Sequence, residues 1–221
     1  MTDGKPCGFI RRVEYYDTLE STNRTAKELA EQGAEEGTLV IAGRQTAGRG
    51  RLGRTWHHPA NEGDAIAMSM ILRPSLPGSG ASMITIIAAL AVHDAIRKRT
   101  GLETDIKWPN DLLSEGKKLC GILTEGVFRG GDYFAVLGIG LNVNAAEFPE
   151  ELADTACSVY QRTGRKTPPA ELTDGIFEEF EGYYAMLTED GDLRRAAAVY
   201  NRFCLPGHEI DASGHRLSET T

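Results

Sequence analysis

The stretch D-I-K-W-P-N-D-L-L-S-E-G-K-K-L-C-G-I-L-T-E-G-V-F-R-G-G-D-Y-F-A-V-L-G-I-G-L-N-V, residues 105–143, decides how the chain folds. Strand-forming runs occupy Glu103 to Trp108, Leu112 to Ser114, Lys118 to Phe128 and Tyr133 to Val143, with turns at Glu115-Gly116 and Gly130-Gly131. Turns this short make hairpins, so these strands pair antiparallel; parallel neighbours need a crossover of a dozen or more residues. Pro109, which has no N–H for a ladder, closes the first run.

Outward from this block, Arg12 to Tyr16 reads as a short strand, and Ser21 or Thr22 as the N-cap of a helix that reaches about Gln32 and stops at Gly33. Thr38 to Ala42 and Ala65 to Leu72 read as buried strands, the second ended by Pro74. From Ser82 to about Thr100, helical spacing links Ile84, Ile87, Ala88, Ala91 and Ala95, while Met83, Ile86 and Leu90 make a second face apolar, so this helix is expected to be central and buried. After Pro168-Pro169, the residues Ile176, Phe177, Phe180, Tyr183, Tyr184 and Leu187 mark an amphipathic helix, and Leu193 to Phe203 another. The expected fold is one α/β (α+β) domain with a mixed, largely antiparallel central sheet and helices packed on it.

The bulk properties agree with a globular domain: 221 residues, 41% hydrophobic and 25% charged. The longest mostly apolar run, Met83 to Val92, falls short of a membrane span, and the N-terminus lacks an apolar signal region, so a cytoplasmic protein without membrane contact is expected. Cys7, Cys120, Cys157 and Cys204 are scattered without a C-x-x-C pair; reduced packing residues are expected, and no metal site. A net charge of −8 argues against nucleic acid as a partner.

Within this acidic chain, A-G-R-Q-T-A-G-R-G-R-L-G-R-T-W (42–56) concentrates Arg44, Arg49, Arg51 and Arg54 among glycines. Gly48 to Thr55 has P-loop spacing with Arg54 in place of the lysine, but Pro59 and Gly63 follow where a P-loop requires a helix. Its parts still suit a small anion, since glycines let amides approach and guanidinium forks grip phosphate or carboxylate. The same composition also suits a solvated surface loop. In the second cluster, K-W-P-N-D (107–111), Lys107 stands at a strand end, where it is either simply exposed or offsets phosphate charge, with Asn110 and Asp111 close enough in sequence to meet a nucleotide or Mg²⁺.

Taken together, E-S-T-N (20–23), G-R-Q-T-A-G-R-G-R-L-G-R-T-W (43–56), K-W-P-N-D (107–111), K-K-L-C-G-I-L-T-E (117–125) and G-I-G-L-N-V-N (138–144) resemble the catalytic domain of the biotin protein ligases over about residues 12 to 204. The resemblance implies a class II synthetase-like fold and a two-step reaction: ATP activates biotin to biotinyl-5′-AMP, and a lysine of a biotin carboxyl carrier domain then takes the biotinyl group. It implies Lys107 and Arg51 as catalytic. It implies Ser21, Thr22, Asn23, Gln45, Gly48, Arg49, Gly50, Arg51, Lys107, Gly121 and Ile122 as biotin-binding. Arg49, Arg51, Arg54, Trp56, Lys107, Asn110 and Asn142 would meet ATP or the adenylate, with Mg²⁺ accompanying ATP. One of the Ser21 and Thr22 hydroxyls would cap the helix and the other face the pocket. His57 and His58 are expected to be plain loop residues. With about a dozen residues before the first strand, no DNA-binding regulation is expected; a homodimer is compatible with the resemblance. Residues 1–204 would form the catalytic domain and 205–221 the start of a truncated SH3-like β-module. A lipoate or octanoate ligase or transferase of the same fold, or a non-enzymatic anion- or RNA-binding module, remain the alternative readings.

Overall fold

A computed structural model describes residues 8–59, 61–76, 80–129 and 132–217, so Cys7, the turn at Gly130-Gly131 and the end of the tail lie outside the described residues. The chain runs through β1 (Arg12–Leu19), α1 (Thr22–Glu31), β2 (Thr38–Gln45), β3 (Ala65–Leu72), α2 (Gly80–Thr100), β4 (Asp105–Lys107), β5 (Asp111–Ser114), β6 (Lys117–Arg129), β7 (Asp132–Asn142), α3 (Glu150–Ala153), α4 (Val159–Thr163), α5 (Pro169–Asp190) and α6 (Arg194–Tyr200). One seven-stranded sheet has the order β1-β2-β3-β7-β6-β5-β4. Among the seven strands only β1 and β2 pair in parallel, because α1 supplies the crossover between them; the other strand pairs are antiparallel.

The two faces of the sheet are covered unequally. On one, α2 lies beneath α5 and α6 in a large core that takes Met68 and Met70 from β3 and Leu137, Ile139 and Leu141 from β7. On the other, the ten-residue α1 covers only part of the sheet, packing Ala26 and Ala30 on Val40, Ile71, Phe134 and Val136. Alternation along β7 therefore reads Phe134 and Val136 beneath α1, Gly138 under its first turn, then Gly140 and Asn142 beyond it. The floor left bare by the short helix is where the candidate site lies.

By length and composition α2 could cross a membrane, but 83% of its apolar window is buried inside the domain. Its apolarity is explained by the sheet below and α5 above. The first strand runs on to Leu19, three residues past the expected end, because its pairing with β2 continues through Gln45. β4 is shorter than expected, Asp105 to Lys107, with Trp108 already in the turn. The short helices α3 and α4 escaped the pattern reading. For α4 a local signal existed: Ser158 and Gln161 form a capping box. The Ser158 hydroxyl accepts from Gln161 N at 3.1 Å and donates to Ala145 O at 2.6 Å in a fully buried position. Ser158→Ala leaves both partners unsatisfied and is expected to cost about 1–2 kcal/mol, a fall of about 2–8 °C in Tm by thermal denaturation.

Residues after α6 stay on the domain. Phe203 to Leu205 pair with Ile106 on the free edge of β4, Ile210 sits in the large core, and the Trp108 indole donates to Gly214 O at 3.2 Å. Cys120 and Cys157 are buried free thiols and Cys204 a partly buried one; burial raises all three above the ordinary thiol pKa.

Candidate functional site: a cationic cavity on a bare sheet floor

The arginine loop folds as a small hairpin. Thr46 N and Ala47 N donate to Leu19 O and Glu20 O, Trp56 N donates to Gly48 O, and Gly50 N donates to Arg54 O. The tip is a single turn at Arg51–Gly53, with Leu52 and Gly53 at positive φ. No helix follows, so the P-loop spacing does not produce P-loop geometry. Gly48 lies beneath the loop rather than in the cavity wall: a Cβ there would stand 2.5 Å from Trp56 O.

Between this loop, the N-terminus of α1 and the sheet lies a cavity of about 410 Å³. Ser21, Thr22, Asn23, Gln45, Arg49, Gly50, Arg51, Arg54, Trp56, Lys107, Asn110, Gly121 and Ile122 all line it, so of the sequence-derived site residues only Gly48 and Asn142 do not. Asn142 lines an adjoining cavity of about 380 Å³ that shares Trp56, Lys107, Asp111 and Lys118 with the first. Its amide donates to Cys157 O at 3.1 Å, while its buried Oδ1 has no hydrogen-bond partner.

The floor is glycine because side chains from elsewhere rest on it. Gly121 and Gly140 pair across β6 and β7, and the Trp56 indole lies over them; a Cβ on Gly140 would come within 2.6 Å of it. A Cβ on Gly138 would overlap the Asn23 amide.

At the α1 end the wall is polar and held by side-chain hydrogen bonds. Thr22 donates its backbone N–H (2.7 Å) and hydroxyl (3.2 Å) to Gln45 Oε1. The Ser69 hydroxyl lies 2.8 Å from Thr22 Oγ1 and 2.7 Å from Asn23 Oδ1. Asn23 Nδ2 donates to Leu123 O and to Glu125 Oε2. This corrects one expectation: Ser21 occupies the N-cap position, but its hydroxyl makes no capping hydrogen bond, and the Thr22 hydroxyl is committed to Gln45, whose Oε1 also takes the first helical N–H.

The opposite end is cationic. Among the described residues lining the cavity, Arg51, Arg54, Lys107 and Lys118 share this part of the wall with a single lining carboxylate, Asp111, while Arg49 reaches back toward α1, its Nη2 3.3 Å from Glu125 Oε1. Lys118 Nζ pairs with Asp111 at 2.7 Å and stands 5.9 Å from the centre of the Trp56 ring. Arg51 donates to Asn110 Oδ1 at 3.2 Å, and Asn110 is itself fixed to Ile122 through its amide and its backbone carbonyl. Lys107, at the exposed end of β4, lines both cavities. His57 lines the second cavity; His58 binds Gly43 O at 3.0 Å, and burial lowers its pKa. The described residues hold no cluster of three or more metal-ligating side chains. Such a site is built to receive an elongated anion, its polar end group at α1 and its negative charge under the loop.

Sequence reasoning missed Lys118, Ser69, Glu125, Gly138 and Gly140. The glycines had a signal, lying in strand interiors where a close approach is the usual reason for them. Lys118 had none: a register shift between Leu112 and Leu113 breaks the alternation opposite it, so counting by twos does not say which of Lys117 and Lys118 turns inward.

A family model described as the biotin/lipoate A/B protein ligase family matches residues 15–143. A bifunctional ligase/repressor BirA of Bacillus subtilis is 47% identical over 173 residues, 77% of this chain and 53% of that protein. A biotin–[acetyl-CoA-carboxylase] ligase of Paracoccus denitrificans is 37% identical over 179 residues, 78% of this chain and 72% of its own. The biotin protein ligase from Aquifex aeolicus in complex with biotin and ATP superposes with a TM-score of 0.77 at 28% identity, covering 89% of this chain and 79% of that one. The chain thus spans about half the length of the Bacillus relative and most of the Paracoccus one.

Proposed function

The chain belongs to the biotin/lipoate A/B protein ligase family, and on that premise we propose that it is a biotin protein ligase. A biotin carboxylate oxygen attacks the α-phosphorus of ATP, the bond to the bridging oxygen breaks, and pyrophosphate leaves biotinyl-5′-AMP. The amine of a carrier-domain lysine then attacks the acyl carbon, and AMP departs. The observation that carries this reading is the polarity of the cavity: amide and hydroxyl groups at one end, Arg51, Arg54, Lys107 and Lys118 at the other, with Arg49 between loop and wall, opening on a second cavity that shares both lysines.

In this reading Ser21, Thr22, Asn23 and Gln45 form the end that receives the ureido ring, and Gly121 and Ile122 give a flat strand for the bicycle to lie on. Arg49, Arg51 and Arg54 close over the phosphate, which also keeps water from the mixed anhydride. Lys107 offsets charge growing on the α-phosphate. Trp56 separates the two ligand parts, and Asn110 and Asn142 serve the nucleotide side. Mg²⁺ commonly rides on substrate phosphates and keeps several waters, using few protein carboxylates. Asp111, the lining carboxylate, would face such an ion, which supplies charge neutralisation on the phosphates. The partner is a biotin carboxyl carrier domain, the setting the cytoplasm, and a homodimer is compatible with the family.

Biotin-dependent ATP–pyrophosphate exchange tests the reading. Exchange with biotin and none with lipoate is expected; lipoate-dependent exchange alone, or oligonucleotide binding without exchange, would overturn it.

A further inference from the structure

Glu125 is not part of the cavity lining, yet it touches both the cavity wall and the loop above it. Its Oε2 accepts from Asn23 Nδ2 at 2.9 Å, and its Oε1 lies 3.3 Å from Arg49 Nη2. Asn23 is itself immobile: it is 5% exposed, its second donor contact goes to Leu123 O, and its Oδ1 lies 2.7 Å from Ser69 Oγ. Through Ser69 the contacts continue to Thr22 and thence to Gln45, the last residue of β2 before the loop. The entering limb of the loop is therefore held at both ends, Gln45 and Arg49, by one continuous set of polar contacts along the cavity wall. The last member of that set is a carboxylate whose direction Asn23 fixes.

We propose that Glu125 is a positioning residue that holds Arg49, and with it the arginine loop, over the cavity mouth. Fixed by Asn23, the carboxylate gives the guanidinium one place to stand, where an unanchored arginine would sample many rotamers. The kinetic consequence rests on the ligase reading; the tethering does not. A merely structural Glu125 would serve only to satisfy the Asn23 amide, and the two roles separate in Glu125→Gln. The glutamine carbonyl can still accept from Asn23, while the charge partner of Arg49 is gone.

The experiment is limited trypsinolysis of the unmodified chain, Glu125→Gln and Glu125→Asp, with fragments assigned by mass spectrometry and Tm measured in parallel. Cleavage of a segment that opens and recloses quickly follows its open population. A partly exposed ion pair of this kind supports an increase of about two- to five-fold in cleavage after Arg49, Arg51 and Arg54 for Glu125→Gln. Other sites and Tm should be unchanged, and Glu125→Asp, which keeps the charge, should fall between. Unchanged loop cleavage, or a rise at all sites together, overturns the tether. In biotin-dependent exchange, Glu125→Gln should raise KM for biotin by a similar factor with kcat preserved; a fall in kcat alone also overturns it. If the unmodified chain shows no exchange, the ligase reading fails, and the cleavage comparison still decides the role of Glu125.

Discussion

Lys107→Ala is expected to slow biotin-dependent ATP–pyrophosphate exchange by about 10²–10³-fold while biotin still binds, because a preorganised charge aimed at developing negative charge is worth that much in rate. Lys107 stands at the end of β4 on the boundary of the two cavities, where the carboxylate of one ligand would meet the phosphate of the other. Lys118 lines the same boundary, but its ammonium is 2.7 Å from Asp111 and already paired, so it is a poor substitute. Since Lys107 is exposed at a strand end, its truncation removes charge without opening the core. Titration calorimetry with biotin separates binding from chemistry. Exchange at the unmodified rate, or loss of binding equal to the loss of rate, would refute this role.

Arg51→Gly is expected to loosen the hold on biotinyl-5′-AMP by about ten- to a hundred-fold, the usual weight of charge-assisted hydrogen bonds to an anion. Arg51 sits at the tip of the loop hairpin, and its contact in the structure, with Asn110 Oδ1, lies on the cavity wall. A phosphate oxygen is a stronger acceptor than that amide, so the guanidinium can change partners without moving far. With Lys107 retained the adenylate still forms, escapes, and acylates lysines at random. Labelling of a bystander protein that lacks a carrier domain, measured with biotin and ATP and with adenylate synthesis verified, should rise above that given by the unmodified chain; equal labelling would show that Arg51 does not retain the intermediate.

The hairpins from β5 through β7 were legible because short turns force antiparallel neighbours, and β3 and α2 because long apolar stretches have few other fates. The parallel pairing of β1 with β2 was not, since nothing local says on which side of β2 the crossover through α1 returns. The site was legible in the order of its motifs rather than in any one of them. The arginine loop alone suited both an anion site and a solvated surface, and only the fold brings Arg49, Arg51 and Arg54 into one cavity with Lys107. What stayed hidden depends on contacts distant in sequence: Glu125 matters through Asn23 and Arg49, and Ser69 through Thr22. No periodicity encodes such pairs.

Helix α2, buried from Met83 to Ile96 between the sheet and α5, has a consequence for how the protein is made. Apart from its charged last turn, Arg97 to Arg99, this helix has no wettable face and so no stable resting place in water, yet the ribosome releases it well before α5, the element that roofs it, has been synthesised. Until then the nascent chain carries a sticky segment with the length and composition of a membrane anchor. Closure of the core over α2 accordingly waits for the distal part of the polypeptide that supplies α5. A chaperone that shields α2 during that interval would govern the yield, and cutting the gene anywhere before α5 is complete would leave an aggregating fragment in place of a smaller working domain.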